Sequence, residues 1–154
     1  MNENRVLTID NLTTTFKSHK QKIQAVRGVS LYVKEGDILA IVGESGSGKS
    51  VTMKSVMGLL GENAEIQADH LELLKKDLLS MSEKEKEKMR GKDMAMIFQD
   101  PMTALNPLKK IGGHMIEVLC RHQKLSKKEA RKVAVDMLAK VGICLLYTSP
   151  SPRD

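Results

Sequence analysis

The first third of the chain alternates apolar and polar positions in short runs separated by polar turns. The runs extend from Val6 to Phe16, from Ile23 to Val26 and from Val29 to Val33, and the last ends at a turn around Gly36. A period of two is typical of strands that bury one face and leave the other in water. The pattern therefore predicts short antiparallel strands at the start of the chain.

Two later runs, from Ile38 to Val42 and from Met94 to Phe98, are apolar without interruption. A strand that is covered on both faces of a mainly parallel sheet has this pattern. A short further strand is expected near Ile66, and residues 99–107 are expected to form a loop because they contain two prolines. The chain is therefore predicted to have an α/β fold.

Apolar residues at helical spacing and helix-start signals predict four helices. They run from Lys49 to about Leu60, onward from an N-cap at Ser82, from Ile111 to His122, and from Ser126 to Val141. Glu129 stands three residues after Ser126, which is the spacing of a capping box. Gly112 and Gly113 are interpreted as part of a helix start.

Composition places the chain among soluble globular proteins. Its 154 residues are 41% hydrophobic and 29% charged, and its longest apolar run is far too short to cross a bilayer. The first residues do not form a basic patch followed by an apolar stretch, so we expect no secretory signal, and the two cysteines are too few for a disulfide framework. We therefore expect a cytoplasmic protein.

The net charge of +6 raises the question of a polyanionic partner. Six basic residues and only one acidic residue lie between Arg121 and Lys132. A solvated helix face explains this cluster most simply, and contact with an anionic membrane surface or with nucleic acid is the alternative. Because the stretch contains no aromatic residue that could stack on a base, we expect no nucleic-acid partner.

One segment carries recognisable chemistry. Its residues are Gly43, Glu44, Ser45, Gly46, Ser47, Gly48, Lys49 and Ser50, which fit the phosphate-binding pattern G-x-x-x-x-G-K-[ST]. Glycines let the backbone curl so that its N–H groups point at phosphate oxygens, and the following helix directs its positive end to the same place. The Lys49 ammonium can reach the β- and γ-phosphates, and the Ser50 hydroxyl can ligate Mg²⁺.

Gln99 is a second candidate because it follows an apolar run that is predicted to be a strand. Ligands of open α/β sheets bind at the carboxyl ends of the strands. A side-chain amide at that edge can orient a water molecule or complete a metal shell without adding charge.

The residues around these motifs resemble the ATP-binding subunits of ABC importers, and in particular the oligopeptide and dipeptide permease branch, which includes nickel importers. The matching segments are residues 25–30, 41–52, 77–79 and 96–107. The phosphate loop alone would fit any P-loop NTPase. The long segment that begins Met96-Ile97-Phe98-Gln99-Asp100-Pro101 selects this branch.

The resemblance implies a role for each site residue. Phe16 would stack on adenine, and residues Gly43 to Ser50, with Val51 beside them, would hold the triphosphate of ATP. Gln99 would contact Mg²⁺ and the attacking water, and it would face the membrane subunit. Lys49 and Gln99 are therefore the catalytic candidates, and Ser50 and Gln99 are the metal candidates.

The resemblance also implies an architecture and partners. The chain would be a truncated P-loop domain that has an antiparallel β subdomain, part of a parallel core sheet and a helical subdomain from about residue 103. The parent would pair with itself or a sister ATP-binding subunit and dock on two membrane-spanning permease subunits at the inner face of the membrane. An extracytoplasmic solute-binding protein would deliver peptide. Nickel or another solute is an alternative cargo, and a nucleic-acid-processing P-loop ATPase is a rival of another class.

Three motifs of the family do not occur in the sequence: the Leu-Ser-Gly-Gly signature, the Asp-Glu pair of the second catalytic strand and the switch histidine. We therefore expect the chain to bind nucleotide without hydrolysing it. The domain is expected to occupy residues 1–143. Residues 144–154 resemble the translation of a sequencing adapter, and we expect them to be foreign.

Overall fold

The computed structural model describes residues 4–18, 21–100 and 105–143. The chain divides into two compact units between Met94 and Ala95. The first unit contains β1 (Arg5–Lys17), β2 (Lys22–Lys34), α1 (Lys49–Met57), β3 (Ala64–Gln67), β4 (His70–Leu73), β5 (Lys76–Asp77) and α2 (Glu83–Met89), and the second contains α3 (Ile111–Gln123) and α4 (Lys127–Lys140).

The strands of the first unit form one antiparallel sheet in the order β2-β1-β4-β5, and β3 also pairs with β1. The predicted antiparallel start of the chain is therefore confirmed. The two runs that were expected as separate strands, 23–26 and 29–33, form the single strand β2. The strand expected near Ile66 is β3, whereas β4 and β5, of four and two residues, were not predicted.

The core of the first unit lies between the sheet and α1. Ile9 and Leu12 of β1 are fully buried and pack with Val56 of α1. The hydroxyls of Thr14 and Ser55 are hydrogen-bonded at 2.8 Å in this core. Because Ser55 donates its only hydroxyl hydrogen to the Val51 carbonyl, Thr14 is the donor of that bond. This bond joins β1 to the middle of α1.

The two strands predicted for a parallel core sheet are not formed. Ile38 is 99% exposed and Val42 92% exposed, and residues 38–42 have no regular structure. In residues 94–98 the pairing is limited to a bridge between Arg90 and Met94, and Ile97 is 94% exposed. An uninterrupted apolar strand needs neighbouring strands to pair with and other elements to cover its two faces. These two segments have neither within residues 4–18, 21–100 and 105–143.

Helix α1 starts where it was predicted to start but ends at Met57 rather than near Leu60. Gly58 takes a left-handed conformation with φ of +63°, and the N–H groups of Gly58 and Leu59 bind carbonyls of the last turn. This left-handed termination ends the helix before the expected break at Gly61. The predicted cap of α2 is confirmed, since the backbone N–H and the hydroxyl of Ser82 both donate to the Glu85 carboxylate.

The second unit is described by α3 and α4, which confirm the two predicted helices within two residues. Their shared core is formed by Leu119, Ala130 and Ala134. The expected loop 99–107 is described only in part, and residues 144–154 lie outside the described residues. None of the helices in the described ranges is long and apolar enough to cross a membrane.

We expect the capping box at the start of α4 to make this helix sensitive to acid. Hydrogen bonds from the Ser126 hydroxyl and backbone N–H lower the pKa of Glu129 below its ordinary value of 4.5. A carboxylate with a lowered pKa stabilises the fold above its unfolded-state pKa, and this contribution is lost as the pH falls through the folded-state pKa. We expect Glu129→Gln to flatten the loss of α4 stability below pH 4.5, measured by hydrogen exchange against pH.

Glu85→Gln is the matched control for that experiment because Glu85 forms the same box at the start of α2 and also has a lowered pKa. It should leave the acid response of α4 unchanged. An α4 profile that is the same in Glu129→Gln and the unsubstituted chain would contradict the assignment.

Candidate functional site

The predicted phosphate loop leads directly into α1. Gly48 is the N-cap of that helix, with φ of +91°, and no side chain of residues 21–100 caps it. The first turn of α1 also contains no acidic residue. The first N–H groups of a helix have no partners within the helix and carry partial positive charge. This helix start therefore presents uncompensated donors to an anion.

The loop is held against β2 by a contact that only glycine permits. A Cβ atom at position 48 would lie 2.6 Å from the carbonyl oxygen of Ala25 and 3.7 Å from the Val26 side chain. The Gly48 carbonyl in turn accepts bonds from the backbone N–H and the hydroxyl of Thr52, at 2.8 and 3.0 Å. Strand β2 and the first turn of α1 thus fix the position of the loop.

The Lys49 side chain folds over the loop. Its ammonium donates to the carbonyls of Gly43 at 2.7 Å and Glu44 at 2.6 Å, and to the Ser47 hydroxyl at 3.1 Å. A turn between Ser47 N–H and the Glu44 carbonyl, at 3.3 Å, curls the same stretch. The arrangement places a full positive charge within the loop, next to the start of α1.

These features fit the phosphates of a nucleotide and an associated Mg²⁺. A glycine-rich curl, an uncapped helix start and an ammonium group are the donors that phosphate oxygens accept. Ser50 is exposed in the first turn of α1, where its hydroxyl can serve as a Mg²⁺ ligand. Residues 43–47 are also exposed, and Gly48, Lys49 and Val51 are half-buried.

The other two predicted site residues lie outside this cluster of hydrogen bonds. Phe16 is half-buried in β1, where it pairs with Ile23 of β2 and Ala64 of β3. Gln99 is exposed in the second unit, in a segment without regular structure. The sequence predicted that Gln99 follows a strand, but residues 95–98 form no strand in the structure. The roles of both residues stay predictions.

Sequence reasoning missed Ala25 and Thr52. The backbone carbonyl of Ala25 leaves no room for a side chain at position 48. Because every residue has a backbone carbonyl, the sequence does not reveal this contact. Thr52 lies two positions after the motif and acts on Gly48 through its hydroxyl. A polar β-branched residue in the first turn of a predicted helix was the one signal that could have indicated this contact.

A family model described as "ABC transporter" matches residues 26–151, which is most of the sequence. The chain belongs to the ABC transporter family. The predicted resemblance and the P-loop NTPase fold class are thereby confirmed, and the antiparallel sheet of the first unit is consistent with part of an ABC nucleotide-binding domain.

The ABC family includes curated relatives that are similar to most of this chain. The chain is 49% identical to the dipeptide transport ATP-binding protein DppD of Bacillus subtilis over 140 aligned residues. The aligned region covers 90% of this chain and 42% of the relative. The chain is 46% identical to the oligopeptide transport ATP-binding protein OppD of the same organism, over 90% of this chain and 39% of the relative. Identity to the Escherichia coli DppD is 42%, over 90% of this chain and 42% of that protein. The chain thus spans about two fifths of the length of these relatives.

Proposed function

We propose that residues 43–50 bind the triphosphate of MgATP and that, in the full-length parent, ATP hydrolysis powers the import of peptides. The observation that carries the proposal is the Lys49 ammonium held within a glycine loop at the uncapped start of α1. The peptide cargo is supported by the names of the relatives, which are dipeptide and oligopeptide transport ATP-binding proteins. None of these names favours nickel or nucleic acid.

Each site residue has a distinct role in this proposal. The backbone N–H groups of the loop and of Ser50 and Val51 hold phosphate oxygens, and Lys49 neutralises charge on the β- and γ-phosphates. Mg²⁺, when bound, supplies further charge neutralisation, and Ser50 and Gln99 are its proposed ligands. Gln99 also orients the attacking water, and the Phe16 ring stacks on adenine.

The proposed setting is a transporter at the inner face of the cell membrane. Two ATP-binding subunits, identical or related, would dock on two membrane-spanning permease subunits, and an extracytoplasmic solute-binding protein would deliver the peptide. The likeness to ATP-binding subunits of peptide transport systems supports this assembly.

Calorimetric titration of the chain with MgATP, MgAMP and adenosine tests the binding proposal. Because the β- and γ-phosphates would face Lys49 and the loop amides, MgATP should bind far more tightly than MgAMP. Adenosine should bind weakest of the three, since it offers no phosphate oxygen. Equal affinities for the three ligands, or no heat with MgATP at millimolar concentration, would contradict the proposal.

We further propose that the 154-residue chain binds MgATP without turning it over. Its sequence contains neither the family's signature motif nor the second catalytic carboxylate, which would act as the base for the water that Gln99 orients. We expect phosphate release at the rate of the buffer alone, measured by a colorimetric assay over hours. Steady turnover that Lys49→Ala abolishes would contradict this expectation.

A further inference from the structure

Arg90 binds the end of the helix that carries the phosphate loop. Its Nε donates to the Met57 carbonyl at 2.8 Å, and its Nη2 donates to the Gly58 carbonyl at 2.9 Å. The same Nη2 lies 2.5 Å from the Glu83 carboxylate at the start of α2. The Arg90 side chain is 21% exposed and its bonds to the two carbonyls are partly buried, whereas the Glu83 side chain is 68% exposed.

The contacts satisfy groups that a helix leaves without partners. The last carbonyls of a helix accept no bond within the helix, and they form the negative end of its dipole. A guanidinium offers several N–H donors in a rigid fork and keeps its charge, so it can bind two neighbouring carbonyls at once. Glu83 accepts a second bond from the Nη2 that binds the Gly58 carbonyl.

Gly58 leaves the space that Arg90 occupies. A Cβ atom at this position would lie 2.9 Å from Nη2 of Arg90, and the residue already requires glycine because its φ is +63°. Met57 and Gly58 therefore form a binding site for the guanidinium of Arg90, which lies 32 residues after Gly58 in the sequence.

Besides the contacts with Arg90, α1 is held by the packing of Val56 against β1, by the Thr14–Ser55 hydrogen bond and by the contact of Gly48 with Ala25. Its buried residues are Thr52, Ser55, Val56 and Met57, of which only two are apolar. The helix is 9 residues long, and its two ends are therefore about 13 Å apart. Because a short helix moves as one body, a restraint at its C-terminal end also fixes the position of its first N–H groups.

We infer that Arg90 is a positioning residue for the phosphate loop: it clamps the C-terminal end of α1 and so fixes the amide groups at the N-terminal end. The inference rests on the proposed function, since the amides matter only if they bind phosphate. Arg90 acts through α1 and contacts no reacting atom.

The test compares Arg90→Ala and Arg90→Lys with Ile9→Val. Ile9 is fully buried in β1, so its variant removes one methylene from the core and lowers stability without removing a hydrogen bond at the end of α1. Two readouts are needed at a temperature at which every variant is folded: the calorimetric Kd for MgATP and the exchange rates of the hydrogen-bonded α1 amides, residues 52–57.

We expect Arg90→Ala to weaken MgATP binding about fivefold to tenfold, the range for loss of a charge-assisted helix cap, and to speed exchange in α1. Arg90→Lys should recover part of the affinity because its ammonium can reach one carbonyl. Ile9→Val should keep the affinity of the unsubstituted chain, although it is less stable. If Arg90 only stabilised the fold, Ile9→Val would lose affinity as well. Loss of affinity in Arg90→Ala alone therefore indicates a positioning role.

The outcomes distinguish the inference from the proposed function. If the unsubstituted chain binds MgATP and Arg90→Ala binds equally well, the inference is wrong and the function stands. If the unsubstituted chain does not bind, both are wrong. If Arg90→Ala does not fold, Arg90→Lys decides: weakened affinity in the folded variant supports the clamp, and unchanged affinity overturns it.

Discussion

Lys49→Ala is expected to abolish the rise in melting temperature that MgATP produces in the unsubstituted chain. The substitution removes the positive charge and the three hydrogen bonds that the ammonium makes within the loop. At a ligand concentration of a hundred times Kd, binding stabilises a fold by about 2.7 kcal/mol. For a chain of this size that corresponds to a shift of roughly 5–10 °C, which differential scanning fluorimetry resolves easily.

Lys54→Ala is the matched control for this experiment. Lys54 belongs to the same helix but lies in its last turn, far from the loop. Its variant changes the net charge by the same amount and should keep the shift with MgATP. Retention of the full shift in Lys49→Ala, or equal loss in both variants, would contradict the role assigned to Lys49.

Gly48→Ala is expected to damage both the fold and the affinity for MgATP. A methyl group would collide with the Ala25 carbonyl, 2.6 Å away, and the residue would be held in the left-handed region at φ of +91°. The left-handed conformation alone costs a non-glycine residue about 1–2 kcal/mol. With the collision added, we expect the free energy of unfolding in urea to fall by about 2–4 kcal/mol, and MgATP binding to weaken beyond detection by calorimetry.

Gly46→Ala separates the two causes. Gly46 is also left-handed, with φ of +81°, but a Cβ atom there would meet nothing within 4 Å. This variant should lose only the conformational part, about 1–2 kcal/mol. Equal losses in the two variants would show that the contact with Ala25 does not hold the loop.

The helices could be predicted because their signals are local. Ser82 with Glu85, and Ser126 with Glu129, are caps formed by residues three positions apart, and the structure contains both. The end of α1 was placed too late because Gly58 was not recognised as the terminating glycine. A helix start is marked by side chains, whereas this end depends on one backbone conformation.

The apolar strands could not be predicted in the same way. An uninterrupted apolar run indicates burial, but burial depends on partners that the run itself does not contain. Ile38 and Val42 are almost fully exposed in the structure, although their sequence is that of a central strand. Whether an apolar run forms a strand depends on pairing with segments that are far from it in the sequence.

The candidate site likewise combines a local motif, which the sequence predicts, with contacts between distant segments, which it does not. Its eight-residue loop is contiguous, so the motif alone indicated the position of Lys49 and of the helix start. The contact of Gly48 with Ala25 and the clamp of Arg90 on Met57 join segments 23 and 33 residues apart. Arg90 belongs to no motif that would have indicated its contact with Met57 and Gly58.

The most direct test of the phosphate-binding site is an amide NMR titration of the chain with magnesium tripolyphosphate, which carries the phosphates of ATP without the adenosine. If backbone N–H groups of the loop bind phosphate oxygens, the largest shift changes should occur at Gly46, Gly48, Lys49 and Ser50, and ATP should displace the probe. Amides of α4, such as that of Ala130, serve as the internal reference and should not move. Unchanged loop amides at millimolar probe, or changes confined to the basic residues of α4, would contradict the claim that residues 43–50 form a phosphate-binding site.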